Sequence, residues 1–131
     1  YEIFKDNKIF GSGIKTFRYI CNEDKYSKIK TKYASKRCTT HPHNIYLEIL
    51  SETGLLGFSI IILVNFYILF FLIFNFFKKK NYNHEILLLF SSFFILFWPF
   101  QTTGGFFSTW NGIFYWVFFS YFFNLKKNLA V

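Results

Sequence analysis

Methionine is absent from the 131 residues, arginine and cysteine occur twice each, and seven acidic residues face fifteen lysines and arginines. Each scarcity removes a class of explanation. Without methionine the chain opens in mid-sequence at Tyr1, and no basic start, apolar middle and small-residue cleavage site marks a signal peptide. The chain therefore reads as the C-terminal piece of a larger protein. Charge is missing altogether from residues 54–77, a run of 24 residues. At about 1.5 Å per residue that run is about 36 Å long, enough to cross a hydrocarbon core of about 30 Å with some tilt.

What fills the sequence instead is apolar: 53% of residues are hydrophobic and 26% aromatic, gathered into long blocks rather than spread at the spacing of a globular core. The second block, 86–100, reaches spanning length when 101–103 extend it at the interface, and the third covers 106–125. Trp98, Trp110 and Trp116 are placed to anchor span ends. The expected fold class is an all-α polytopic membrane protein. Residues 1–53 form a loop with an amphipathic helix near 42–53, and residues 54–131 form a membrane domain with spans near 54–77, 86–103 and 106–125. Three spans enclose a polar site poorly, so further helices of the larger protein are expected to complete it, and the piece is expected to be inactive alone.

The short loops orient these spans. Lys78, Lys79 and Lys80 follow the first, Lys126 and Lys127 follow the third, and 101–111 carry no charge. The lysines mark the cytoplasmic side, with the C-terminus, and place the N-terminal segment outside, which for a bacterial inner membrane is the periplasm. That segment holds ten lysines and arginines. Only Lys36 and Arg37 fall within the roughly 15 to 20 residues of a span end that govern orientation.

Within its first 45 residues those ten face Glu2, Asp6, Glu23 and Asp24, an excess of six positive charges that favours an anionic partner. Many of the lysines fit equally well as solvated surface in a chain rich in Phe, Ile, Lys, Asn and Tyr, the residues an AT-rich genome over-supplies. Arg18 and Arg37 do not share that explanation, because a guanidinium fork holds phosphate oxygens bidentately as lysine cannot. Nucleic acid is not expected as a partner outside the membrane; a lipid-linked phosphate or pyrophosphate fits better.

Cys21 and Cys38 lie in this segment and admit three readings. An oxidising periplasm would pair them across 16 intervening residues, worth on the order of 3 kcal/mol. They also suit two buried thiols. A third reading makes Cys38, His41 and His43 metal ligands, but C-x-x-H-x-H matches no common zinc pattern, a fourth ligand is lacking nearby and Pro42 restricts both imidazoles. No metal or other cofactor is expected.

The remaining chemistry sits in His41-Pro42-His43-Asn44. Thr39 or Thr40 ahead of Pro42 predicts a helix start, proline being suited to the first helical position, and Gly54 suits the exit. Ile45, Tyr46, Leu47, Ile49 and Leu50 would form an apolar face along the membrane surface with Glu48 and Glu52 opposite. Those two glutamates, one turn apart, repel and point to a basic neighbour. His43 would fall in the first turn, where unpaired backbone N–H groups and the positive helix end favour a neutral imidazole and an adjacent anion. A neutral imidazole is what a general base needs. An isolated H-x-H is also consistent with two idle imidazoles bonded to backbone at a loop-to-helix junction.

The wider pattern weighs against idleness. His43-Asn44, nine residues, then Gly54-x-x-Gly57 resembles the H-[NSQ]-x9-G-x-x-G signature of the O-antigen ligase family, related to O-antigen polymerases and protein O-oligosaccharyltransferases. The resemblance extends to Ile9-Phe10-Gly11-Ser12-Gly13 with Phe17, to Thr40 through Leu47, to Glu52-Thr53-Gly54, and, less specifically, to Trp98-Pro99-Phe100 and 106–111. It implies the C-terminal portion of an inner-membrane glycosyltransferase that moves a glycan from an undecaprenyl-pyrophosphate donor to an acceptor hydroxyl at the periplasmic face, without metal or nucleotide sugar. The implied partners are a lipid-linked oligosaccharide donor, a glycolipid or glycan acceptor and membrane lipids. The family's functional histidine maps onto His43. Arg37 and Arg18 are the available counterparts of its pyrophosphate-binding arginines, and His41 and Asn44 are expected to bind substrate beside them, His41 also steadying His43. Phe58 stands where the strict ligase signature prefers Gly, Thr or Tyr, so ligase and polymerase both remain open. A transporter or channel fragment accounts for the spans but gives the H-P-H-N motif no purpose, and a metal-sensing module would use Cys38 with both histidines.

Overall fold

The structure, a computed structural model, describes residues 1–27, 38–78, 84–100 and 105–129. Among the described residues every regular element is helical, as expected for an all-α chain. The elements are α1 (Glu2–Asp6), α2 (Phe17–Ile20), α3 (Asp24–Ser27), α4 (Ile45–Lys78), α5 (His84–Phe97) and α6 (Thr109–Leu129). They form two compact units, Tyr1–Ile60 with Pro99–Ser108, and Ile61–Trp98 with Thr109–Val131.

In the first unit a small core gathers Ile3, Cys21 and Tyr26, with Phe17, Ile20 and Cys38 packed against it. Cys21 and Cys38 are joined by a disulfide. The pairing decides among the three cysteine readings and leaves Cys38 no thiolate for a metal. The Tyr26 hydroxyl donates to Asp6 at 2.6 Å, and Lys25 pairs with the same carboxylate at 2.8 Å.

α4 starts at Ile45, three residues later than predicted. Neither threonine caps it, because the Thr39 hydroxyl donates to the His41 carbonyl and the Thr40 hydroxyl bonds His41 Nδ1. Asn44 is the cap: its Oδ1 accepts from the N–H groups of Tyr46 at 3.0 Å and Leu47 at 3.1 Å. His43 thus lies immediately before the helix rather than in its first turn.

Gly54 interrupts α4 with φ 65° and ψ −167°, but the helix resumes at once, so the glycine makes a kink and not an exit. A break there frees the carbonyls of Ser51 and Glu52 and the N–H groups of Leu55 and Leu56. The loop around Gly11 takes up all four. Ser12 and Gly13 donate to Ser51 and Glu52, each at 2.9 Å, while Leu55 donates to Lys8 at 2.7 Å and Leu56 to Ile9 at 3.1 Å. Two helical bonds are exchanged for four bonds to a distant loop.

The segment before the kink does not divide into an apolar and an acidic face as expected, because its glutamates share the buried side with two of the apolar residues. Glu48, Ser51 and Glu52 are buried together with Ile45 and Ile49, while Leu47 is exposed. Unpaired backbone N–H groups of neighbouring loops must be satisfied inside this unit, and the carboxylates do it.

In the second unit, buried residues recur every three or four positions: Ile68 and Leu72 on α4, Ile86, Leu89, Phe93 and Phe97 on α5, and Tyr115, Phe118, Phe122 and Leu125 on α6. Aromatic pairs lock this seam, Phe71 edge-on to Phe122 at 5.4 Å and Phe97 tilted against Tyr115 at 5.5 Å between ring centroids. Outward faces are equally apolar, with Leu63, Phe66, Phe70, Leu88, Ile95 and Trp116 exposed. Asn65 and Asn75 donate to the carbonyls of Ile61 and Phe71 one turn back. Among the described residues one helix, α4, is long and apolar enough to cross a membrane. α5 has 14 residues, and the predicted extension of that span through Gln101, Thr102 and Thr103 lies outside the described residues.

Candidate functional site

The site is assembled on the Asn44 cap. The Asn44 side chain works in two directions: Oδ1 closes the helix start, and Nδ2 donates to the Pro99 carbonyl at 2.8 Å, 55 residues on. Its neighbour His43 is exposed to solvent. The His43 ring stands edge-on to His41, with centroids 5.1 Å apart and planes at 66°. His41 is partly buried, held at Nδ1 by Thr40 and packed against Gly105.

Glu48, one turn into α4, is the buried charge beside these rings. Its carboxylate accepts the backbone N–H groups of Phe106 and Phe107. Burial pushes its carboxyl up to about 7 against the lowering pull of those two donors, and Glu52 adds repulsion. Gly105 is buried between Glu48 and His41. A Cβ there would lie 2.7 Å from Glu48 Oε1 and 3.3 Å from His41 Cγ.

Glu52 serves the other side of the segment. It accepts from the backbone of Lys15 at 2.7 Å and Phe17 at 3.4 Å. Burial raises its carboxyl, offset by these N–H groups and by the charges of Arg18 and Lys15. Among the described residues the basic neighbours expected from the glutamate pair, Arg18 and Lys15, act on Glu52, and backbone donors satisfy both carboxylates.

Of the predicted site residues, His41, His43 and Asn44 come together at the start of α4. Arg18 lies exposed on α2, its guanidinium 5.7 Å from the Tyr19 ring centroid and its charge felt at Glu52. Arg37 lies outside the described residues. Sequence reasoning missed Glu48, Gly105 and the Pro99 carbonyl as parts of this arrangement. The usable signal was a glutamate four residues after the helix cap, inside a segment otherwise bound for the membrane. Among the described residues no group of three His, Cys, Asp or Glu is placed to hold a metal ion.

Chemically, the arrangement presents a solvent-accessible imidazole next to a capped helix start, a group able to exchange a proton with a bound molecule. Residues 1–62 match the family model described as O-antigen ligase. The match contains both the Gly11 loop and the Gly54 kink, along with His41 to Asn44 and both buried glutamates. No curated protein and no solved structure matches the chain.

Proposed function

We propose that this chain is part of a membrane glycosyltransferase that moves a glycan from an undecaprenyl-pyrophosphate-linked donor to an acceptor hydroxyl, in the manner of O-antigen ligases. The observation that carries the reading is the placement of His43: exposed, directly before an asparagine-capped helix, within the stretch similar to that family. In the transfer His43 accepts the proton of the acceptor hydroxyl as its oxygen attacks the anomeric carbon. The bond from that carbon to the pyrophosphate oxygen breaks, and the lipid pyrophosphate leaves with the bonding electrons. Arg37 and Arg18 offset the charge that develops on the leaving group. His41 and Asn44 hold the histidine in place.

The same reading makes residues 1–53 periplasmic and residues 54–131 a membrane domain with spans near 54–77, 86–103 and 106–125, the C-terminus being cytoplasmic. The lysines at 78–80 and 126–127 support this orientation. The donor is a lipid-linked oligosaccharide, and the acceptor a glycolipid or glycan. Phe58, packed edge-on to Tyr46 with centroids 6.4 Å apart, occupies a position where the ligase signature prefers Gly, Thr or Tyr. It favours, as the second reading, glycan polymerisation or transfer to a protein hydroxyl by the same chemistry.

The test is transfer by the full-length protein reconstituted in lipid with a lipid-linked oligosaccharide. His43→Ala is expected to abolish product at normal protein level, and Arg37→Lys to lower the rate, because charge survives but the bidentate fork does not. Full transfer by His43→Ala overturns the assignment.

A further inference from the structure

A buried carboxylate is costly where a leucine would pack without penalty, so the position of Glu48 calls for a purpose. Its carboxylate accepts the N–H of Phe106 at Oε2 and also bonds the N–H of Phe107, both in a loop some 58 residues further along the chain. The residue before that pair, Gly105, fills the space between the Glu48 carboxylate and the His41 ring, and no side chain fits there without displacing one of them. His41 in turn meets the edge of His43. The contacts therefore run without a gap from Glu48 through Gly105 and His41 to His43.

We propose that Glu48 is a positioning residue for His43: by gripping the backbone at 106–107 it seats Gly105 against His41, and His41 sets the ring of His43. The inference rests on His43 being the group that takes the acceptor proton. Nothing in it requires Glu48 to touch substrate. The ionised carboxylate offers an acceptor oxygen to each N–H, whereas the protonated acid turns one oxygen into a donor and gives up part of the grip. Grip and proton therefore compete, and the raised carboxyl puts that competition near neutral pH. Among the described residues the titratable groups around Glu48 are Glu52 on its own helix and His41 across Gly105; the 106–107 side contributes backbone N–H groups.

The experiment compares wild type, Glu48→Gln, Gly105→Ala and His43→Ala in the full-length protein reconstituted in lipid, with two readouts. The first is transfer as a function of pH. Glu48→Gln is expected to lower kcat about tenfold, as small misplacements of a catalytic group do, with KM for the donor unchanged. Its pH profile should lack the protonation step that Glu48 contributes to the wild-type profile near neutral pH. The second readout is carbethoxylation of histidines by diethyl pyrocarbonate, followed by mass spectrometry, which needs no activity. His41 should react several-fold faster in both Glu48→Gln and Gly105→Ala, while His84, exposed at the start of α5, reacts at the wild-type rate. Should Glu48→Gln fail to accumulate, Gly105→Ala carries both readouts. Unchanged His41 reactivity together with an unchanged kcat and pH profile overturns the inference. Retained transfer by His43→Ala overturns the functional reading and, with it, the role given to Glu48.

Discussion

Gly54 lies against the backbone of Gly11 so closely that a Cβ on Gly54 would run into the Gly11 amide nitrogen and the Ile9 carbonyl. The converse also holds: a Cβ on Gly11 would overlap the main chain of Glu52 and Thr53. Both glycines have positive φ, 72° and 65°. This close approach lets the Gly11 loop satisfy the four backbone groups that the kink releases, and it leaves the segment before the kink facing inward with its glutamates.

Gly11→Ala and Gly54→Ala are each expected to destabilise the protein by more than about 1 kcal/mol, the cost of a left-handed alanine alone, before the overlap is counted. Thermal unfolding of the full-length protein in detergent measures it. A midpoint equal to wild type would show that the two backbones do not meet.

Glu48 makes stability depend on pH with a definite sign. Its carboxyl is raised in the folded state to about 7 from 4.5, so its stabilising contribution is complete below the unfolded value and is lost as pH rises through 7. Between those limits it amounts to on the order of 3 kcal/mol. The unfolding midpoint of wild type should therefore fall relative to Glu48→Gln as pH goes from 5 to 8. Parallel curves for the two proteins would contradict the raised carboxyl.

Asn44 performs two tasks that substitution can separate. Asn44→Asp keeps an oxygen for Tyr46 and Leu47 but has no N–H for Pro99, whereas Asn44→Ala loses both. The alanine variant should cost about 1 to 2 kcal/mol and the aspartate variant less, as read from unfolding midpoints. Equal losses would mean that the cap carries nothing by itself.

Removing the Cys21–Cys38 bond, by reduction or as the double serine variant, is expected to cost on the order of 3 kcal/mol. Limited proteolysis should then cut within residues 1–40 faster than in the oxidised protein. Identical digestion patterns would show that the bond does not restrain this segment.

The H-N-x9-G-x-x-G spacing and the existence of a helix after the histidines were legible. His43 was expected in the first turn and Gly54 at an exit, whereas they lie before the helix and at a kink. The all-helical character was legible, since charge-free apolar blocks leave few other options. The cap was misplaced because two threonines and an asparagine compete at such a start, and tertiary bonds to His41 decided against the threonines. The inward turn of Glu48 and Glu52 was not legible at all. It depends on N–H groups 35 to 58 residues away, and no periodicity within the helix reports on them. The cysteines could be counted but not paired, since loop length allows a bond without requiring it.

Transfer by His43→Ala is the most direct test of the central claim. In the full-length protein, reconstituted in lipid and supplied with an undecaprenyl-pyrophosphate-linked oligosaccharide and acceptor, this variant should form no product at wild-type protein level and wild-type unfolding temperature. Product at the wild-type rate would contradict the account.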